Sequence, residues 1–452
     1  MTRFPVNRNA VMSRLLKSRV PQLVLTTIAL GGFLLAILAG AVGTPVGSRN
    51  FAIIFVWIAW WAALILVAVP VLGRGWCSIC PIPAPGEWLQ RGSLLGPRGG
   101  GVGYDRRWPK LLRGMWLQNG AFLLLALFSA VVLTQPVVTA FILLGLLALA
   151  TVTSLVFERR SFCRYLCPVG GFIGLYSKLA PVEVRVADPA VCSTCKQKSC
   201  YNGNENGYGC PWLVFPRAIS KNTHCGLCLE CLRTCPNSNM VLSLRPPGSD
   251  LDGREERKLD EAYKSFIMLG SALVYAAVLL GPWGHLRAAA YSIWSTAWIS
   301  YAATFLLTVL VLMPGLFLGA VWLGDRLAGT GRPMRRSFVA YGHALIPLGL
   351  ASWVAFSLAF VGTNFSYVLP VLSDPMGWGW NLLGTATYPW TPYMSGMLPL
   401  LEVVVLLIGL AWSSQVAQRV ARSGGNGSTW HALPVSIYCT LFTLALLTLL
   451  VG

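Results

Sequence analysis

Acid is scarce in this chain. Among its 452 residues only 16 are Asp or Glu, against 35 Lys and Arg, and charged residues of every kind make up 11%. With 55% hydrophobic residues and a mean hydropathy of +0.62, the chain is too apolar for a soluble domain and belongs to the multi-span membrane class. The formal charge of +19 does not signal nucleic acid, because a basic chain of this hydropathy keeps its Lys and Arg in cytoplasmic loops. There are only four His and no C-x-x-C-H motif, so covalent c-type haem is not indicated. A cleaved leader is not indicated either. The apolar run after the basic N-terminus, Pro21 to Gly43, is too long for a signal h-region and suits a retained span.

Hydropathy predicts about nine spans: Pro21 to Gly43, Asn50 to Leu72, Gly114 to Thr134, Thr139 to Phe157, Ser265 to Trp283, Trp298 to Gly324, Phe338 to Gly362, Met397 to Ser413 and Leu433 to Gly452. The connections alternate in charge. One side carries Arg3, Arg8, Arg14, Lys17 and Arg19, then a run from Arg74 through Arg98 to Arg113, then Arg326, Arg332, Arg335 and Arg336, then Arg419 and Arg422. The other side offers little beyond Arg49 and Arg287. The positive-inside bias therefore places the N-terminus on the cytoplasmic face of a bacterial-type inner membrane.

What the chain does have is 13 cysteines, and most of them are patterned. Cys225, Cys228, Cys231 and Cys235-Pro236 read C-x2-C-x2-C-x3-C-P, a run in which three thiolates grip one [4Fe-4S] cube and the fourth reaches a neighbouring cube. A partner set lies just upstream in Cys192, Cys195, Cys200 and Cys210-Pro211. Crossing the fourth ligands groups Cys192, Cys195, Cys200 and Cys235 around one cube, and Cys225, Cys228, Cys231 and Cys210 around the other. Eight thiolates could also build two structural zinc sites, but the proline after the fourth cysteine and the crossed arrangement favour clusters.

A second, shorter pattern repeats. Arg74-Gly75-Trp76-Cys77-Ser78-Ile79-Cys80-Pro81 closes the second predicted span, and Arg160-Ser161-Phe162-Cys163-Arg164-Tyr165-Leu166-Cys167-Pro168 closes the fourth. Cys77, Cys80, Cys163 and Cys167 then share one membrane edge, where they could hold a further cluster, bind Cu(I) or form a dithiol pair. Arg74, Arg159, Arg160 and Arg164 would offset the charge of such a site. Lys196, Lys198 and Arg233 stand near the other ligands, either tuning them or forming a solvated basic face.

The expected fold class is an all-α polytopic membrane protein with an inserted α+β two-cluster ferredoxin-like domain. Residues 1–157 form the N-terminal membrane region with four spans and the first Cys-Pro motif. Residues 158–264 form the cluster domain with the second such motif, on the cytoplasmic side, ending in a linker from Pro246 to Gly253 and a charged run to Lys258. Residues 265–452 form the C-terminal membrane region with about five spans.

Three polar residues stand out in that last region. His343 and His431 lie near the cytoplasmic ends of their predicted spans, where two histidines at one depth could ligate haem or line a quinone site. Haem is the less favoured, since a membrane-edge histidine is more often a packing residue. Glu402, several residues into the eighth span, is a candidate for proton or quinol chemistry, because an intramembrane carboxylate is costly unless paired, protonated or facing water. Cys439 stands alone and is expected to pack. An outer loop, Thr363 to Gly396, is poor in charge and rich in aromatics.

Phe162-Cys163-Arg164-Tyr165-Leu166-Cys167-Pro168-Val169-Gly170-Gly171, followed by the two-cluster module, resembles the membrane-bound polyferredoxins. These include the quinol-dehydrogenase-type subunit of periplasmic nitrate reduction, the membrane regulator of nitrous oxide reductase and the cytochrome oxidase assembly ferredoxin. The resemblance covers about the first 245 residues and implies electron exchange among the quinone pool, cytoplasmic donors and extracytoplasmic acceptors. Both membrane motifs of that family usually read C-x3-C-P, whereas Cys77 and Cys80 are one residue closer. The function expected is a membrane-anchored iron-sulfur electron-transfer protein, with a quinone pool or redox subunits as partners and lipid around its spans. A copper-handling assembly factor and a non-catalytic anchor subunit are the alternatives.

Overall fold

The computed structural model describes residues 4–5, 10–97, 100–251, 257–329, 331–423 and 429–451. Arg3, Arg8, Arg98, the linker residues 252–256 and Gly452 lie outside the described residues. A backbone surrounded by hydrocarbon must satisfy its own N–H and C=O groups, so long apolar runs become helices. Among the described residues eight helices are long and apolar enough to cross a membrane: Val20–Val42, Phe51–Ser78, Pro136–Val156, Leu259–Leu280, Thr296–Leu327, Met334–Ser373, Leu398–Arg422 and Leu433–Leu450. The third predicted span is shorter than expected. It forms the apolar helix Trp116–Leu127 and, after Phe128 turns out of helical geometry, the single turn Ser129–Val132.

The chain divides into two compact units. The first comprises Met1–Leu35, Val67–Gln118 and Ile142–Asp250. Its sheet is built on the antiparallel pair β2 (Val182–Val186) and β3 (Met240–Leu244), with Val184 opposite Leu242 and a short edge strand β1 (Phe4–Pro5) along β3. The apolar core of this module is small. Val184, Leu232 and Met240 are its fully buried members, and Cys225, Cys231 and Cys235 pack against them. Ion pairs supplement it: Arg245 bonds Asp250 and, at 3.2 Å, Glu183, while Arg185 approaches Glu183 at 3.4 Å. Buried pairs of this kind add little net stability but make a single geometry unique when every partner is satisfied. A core so small leans on whatever its cysteines hold.

The second unit comprises Ala36–Leu66, Asn119–Phe141 and Leu251–Gly452. Leu345–Asn364 lies against Leu398–Arg422 at close range: a Cβ on Gly409 would stand 2.3 Å from that of Ala351. Small residues at such crossings let helix backbones approach. The same pair is locked by Ser413, whose hydroxyl accepts from the Leu348 amide at 2.9 Å, and Trp353 donates to Met268 O at 3.0 Å. In the aromatic loop Trp378, Trp380, Tyr388 and Trp390 are exposed.

Candidate metal centres

The membrane-edge cysteines are presented by two helix ends. Gly73, at φ +56°, stops the helix Val69–Leu72, and a side chain there would come within 2.9 Å of Ala180 and Ser177. The chain then winds tightly through Gly73–Ser78 and presents Cys77. In the second motif Cys163 lies in the wide turn Phe162–Leu166, and Cys167 caps the helix Pro168–Tyr176, its Sγ accepting from the Gly170 amide at 3.2 Å. Pro168 fits the first helical position, where a missing N–H costs nothing. The two motifs converge. Cys80 is within electrostatic reach of Cys77 and Cys167, and Cys163 of Cys167, Cys77 and Cys80. Burial, followed by this mutual repulsion, pushes the thiols of Cys80 and Cys163 far up, and burial takes Cys167 to about 11.

Eight of the remaining nine cysteines fall into two more groups. Cys231 neighbours Cys228, Cys225 and Cys210, and Cys200 neighbours Cys235, Cys192 and Cys195. Burial is the main cause that lifts Cys228 to about 12 and Cys200 to about 11. Only the thiolate ligates metal, so a cationic centre bound here would have to offset that burial. Leu227 and Leu229 hold left-handed backbone, at φ 48° and 60°, as does Lys198 at φ 49°. Such strain costs about 1–3 kcal/mol per residue and persists only where the surroundings enforce it. Asn239 adds donors to the third group, its amide to Cys235 Sγ and its side chain to Cys192 Sγ, both at 3.3 Å.

The three groups adjoin one another. Cys231 is within electrostatic reach of Cys200, joining the second and third. Arg160 neighbours both Cys163 and Cys228, and Arg74 both Cys167 and Cys225, joining the first and second. Arg74 is wholly buried, donates to Cys163 O at 2.7 Å and to Thr223 O, and lies over the Trp212 ring. Arg160 donates to Cys77 O at 2.6 Å and forms a buried two-point pair with Glu87, at 2.5 and 2.7 Å. Burial works to raise Glu87, but Arg160 and Arg91 outweigh it and hold the carboxyl below its ordinary value. Arg159 donates to Tyr201 O and Cys210 O at 2.7 Å, and Arg164 donates to Trp212 O and Leu213 O. Arg233 is taken up by Glu230 at 2.6 Å and by Ser18 O at 3.0 Å, with its side chain 6% exposed, so it is not part of a solvated face.

The donor set fits sulfur-rich clusters. Arg74 Nε, Arg164 Nε, Trp212 Nε1 and Thr223 Oγ1 are buried without an acceptor in this one neighbourhood. Buried donors are rarely left so, and inorganic sulfide or thiolate is the acceptor such a neighbourhood would supply. Among the described residues no group of three or more Cys, His, Asp or Glu side chains is arranged to hold a single metal ion. A cube takes one ligand at each iron and accepts a wider set.

In the second unit the three polar candidates differ in their partners. His343 Nε2 faces Glu261 Oε2 at 3.1 Å and Nδ1 faces Val339 O at 2.9 Å, while His431 Nε2 pairs with Asp325 Oδ1 at 2.5 Å. Each histidine has its own carboxylate, a partner 82 or 106 residues away that no local pattern announces. Glu402 is 2% exposed, and its Oε2 has no hydrogen-bond partner. A site that sequence reasoning passed over lies beside His285. An apolar cavity of about 320 Å³ is lined by His285, Leu286, Tyr301 and Phe305, and the Tyr301 hydroxyl is buried without a partner. Cys439 is buried in its helix, as expected of a packing residue.

Comparison with known proteins bears on the first unit. The family model of a 4Fe-4S binding domain matches twice, over residues 53–99 and 139–185. These are the two stretches of the repeat, and they contain Cys77, Cys80, Cys163 and Cys167 rather than the C-x2-C-x2-C-x3-C-P run. The "Putative electron transport protein YccM" of Escherichia coli (strain K12) is 28% identical over 216 residues, 42% of this chain and 57% of that protein. The "Methylamine utilization ferredoxin-type protein MauN" of Methylorubrum extorquens is 32% identical over 148 residues, 30% of this chain and 49% of that protein. The chain spans about half the length of the curated relatives it matches. No solved structure matches.

Proposed function

We propose that this chain, which belongs through its repeated cysteine motifs to the membrane polyferredoxin-like 4Fe-4S family, is a membrane-anchored carrier of electrons between iron-sulfur clusters and a membrane quinone or partner redox subunit. The observation that supports this reading is the neighbouring of cysteine thiols in three sets: Cys77, Cys80, Cys163 and Cys167; Cys210, Cys225, Cys228 and Cys231; and Cys192, Cys195, Cys200 and Cys235. Each quartet would hold one [4Fe-4S] cube, which when bound supplies one-electron transfer at a potential set by its surroundings. The chain's own part is to bury the thiolates, to aim the Gly170 and Asn239 donors at sulfur, and to bridge the first two quartets with Arg74 and Arg160. Hydrogen bonds to sulfur and nearby cations favour the reduced state and raise the potential.

The quinone end rests on two features of the apolar helices. One is the cavity beside His285 and Tyr301, with its unpartnered hydroxyl; the other is Glu402, with its unpartnered carboxylate oxygen. A quinol carries two electrons and two protons, so its oxidation needs proton acceptors near the ring as well as an electron acceptor. The charge of the loops supports placing the cysteine domain on the cytoplasmic face.

Anaerobic purification of the full chain tests the reading. About twelve iron and twelve acid-labile sulfide per chain are expected for three cubes, and about eight of each for two. Replacing Cys77, Cys228 or Cys192 with Ser, one at a time, is expected to remove about four iron in each case while the protein still inserts in the membrane. Zinc or copper in place of iron would overturn the proposal.

A further inference from the structure

The second unit contains a cavity that electron transfer does not use. It has a volume of about 910 Å³, and six of the residues lining it are Arg257, Lys258, Arg332, Arg335, Arg336 and Ser337. Five cationic side chains face one space, and none of the described residues lining it is acidic. Like charges at such density repel one another, so the arrangement is costly unless an anion enters. Burial and the nearby Arg332 depress Arg257 below its ordinary value, while its Nη1 is pinned by Ala340 O at 3.3 Å.

An ordinary belt of interfacial arginines accounts for positive charge at a membrane edge, but not for two further features. Ser337 is 1% exposed, and its hydroxyl is buried with no hydrogen-bond partner although the residue lines the cavity. The helix Met334–Gly342 also begins here, and its cap, Pro333, supplies no side-chain bond to the first turn. Uncapped amides, the positive end of the helix dipole and an orphaned hydroxyl suit tetrahedral oxyanions, and guanidinium groups suit phosphate oxygens.

We propose that this cavity binds a phosphate-bearing ligand, held by Arg332, Arg335, Arg336, Arg257 and the Ser337 hydroxyl. The chemistry is that of a phosphodiester or diphosphate, and the volume accepts either an anionic lipid headgroup or a soluble phosphate. Nothing in this site depends on the cysteine quartets.

The full chain, purified in detergent, is titrated separately with phosphatidylglycerol, phosphatidylcholine and inorganic pyrophosphate, and binding is followed by native mass spectrometry and thermal unfolding. Phosphatidylglycerol is expected to remain bound and raise the melting temperature where phosphatidylcholine does not. The exposed pair Arg335→Ala/Arg336→Ala is expected to weaken that binding about ten-fold, and Ser337→Ala about three-fold. The variant Arg106→Ala/Arg107→Ala, which removes two exposed charges from the first unit, is expected to bind normally. Pyrophosphate binding with the same dependence on Arg335 and Arg336 would support the site and name a soluble ligand as its source. The proposal is overturned if no phosphate compound binds, if the Arg335/Arg336 variant binds as well as the parent, or if the Arg106/Arg107 variant loses as much.

Discussion

The guanidinium of Arg74 lies 4.2 Å from the centre of the Trp212 ring, sandwiched between the loop that carries Cys163 and the loop that leads into Cys225. The planar fork matters: one nitrogen donates to Cys163 O and another to Thr223 O while the flat face rests on indole. Lysine has a compact point charge and cannot stack and fork together. Arg74→Lys should therefore insert normally yet lose iron from the first two quartets, with stability lowered by about 2–3 kcal/mol, the cost of leaving charged hydrogen bonds unmade. Iron content and thermal unfolding of the purified variant check this. Full iron retention would remove Arg74 from its bridging role.

Gly226 makes the tightest demand on the middle quartet. A Cβ there would fall 2.1 Å from Trp212 Nε1. Gly226→Ala should displace the indole or the Cys225–Cys228 loop at a cost of about 1–3 kcal/mol, as in other overpacked sites. Loss of about four iron, with the remainder unchanged, is the expected analytical result.

Glu87 and Arg160 form a pair in which neither charge reaches water, with side chains 4% and 5% exposed. Removing one member of a buried pair strands the other, so Glu87→Gln should cost about 3–5 kcal/mol. The double variant Glu87→Leu/Arg160→Met should fall short of the sum of the two single losses, because neither member of this buried pair is then left without the other, and Arg91, the second cation on Glu87, is partly exposed. Denaturation of all three in the same detergent measures the difference.

Glu402 has a different fate. It carries no partner on Oε2, so Glu402→Gln should leave folding intact within about 1 kcal/mol. Quinol-linked reduction of the clusters should slow about ten-fold or more, as expected when a proton-handling group is lost. Unchanged turnover would leave the cavity at His285 and Tyr301 as the quinone candidate.

Much of the cysteine geometry is legible in spacing, because thiolates on a short loop have few places to reach and a following proline fixes the turn. Nine residues separate Cys200 from Cys210, yet Cys200 neighbours Cys235 while Cys210 neighbours Cys225, Cys228 and Cys231. The arginines near the motifs are legible as counter-charges, but their work on backbone carbonyls is not. Glu87 is 73 residues from Arg160, and nothing local links them. The same holds for Glu261 with His343 and Asp325 with His431. Hydropathy counts apolar residues and cannot see Phe128 leave the helix, so the third span reads longer than it is.

The interleaving of the quartets also fixes an order of completion during synthesis. All four cysteines of the membrane-edge group exist once Cys167 has been made. The other two stay open until Cys231 and then Cys235 emerge, almost together. If each quartet holds the cube proposed for it, the membrane-edge site is complete in the growing chain before either of the others.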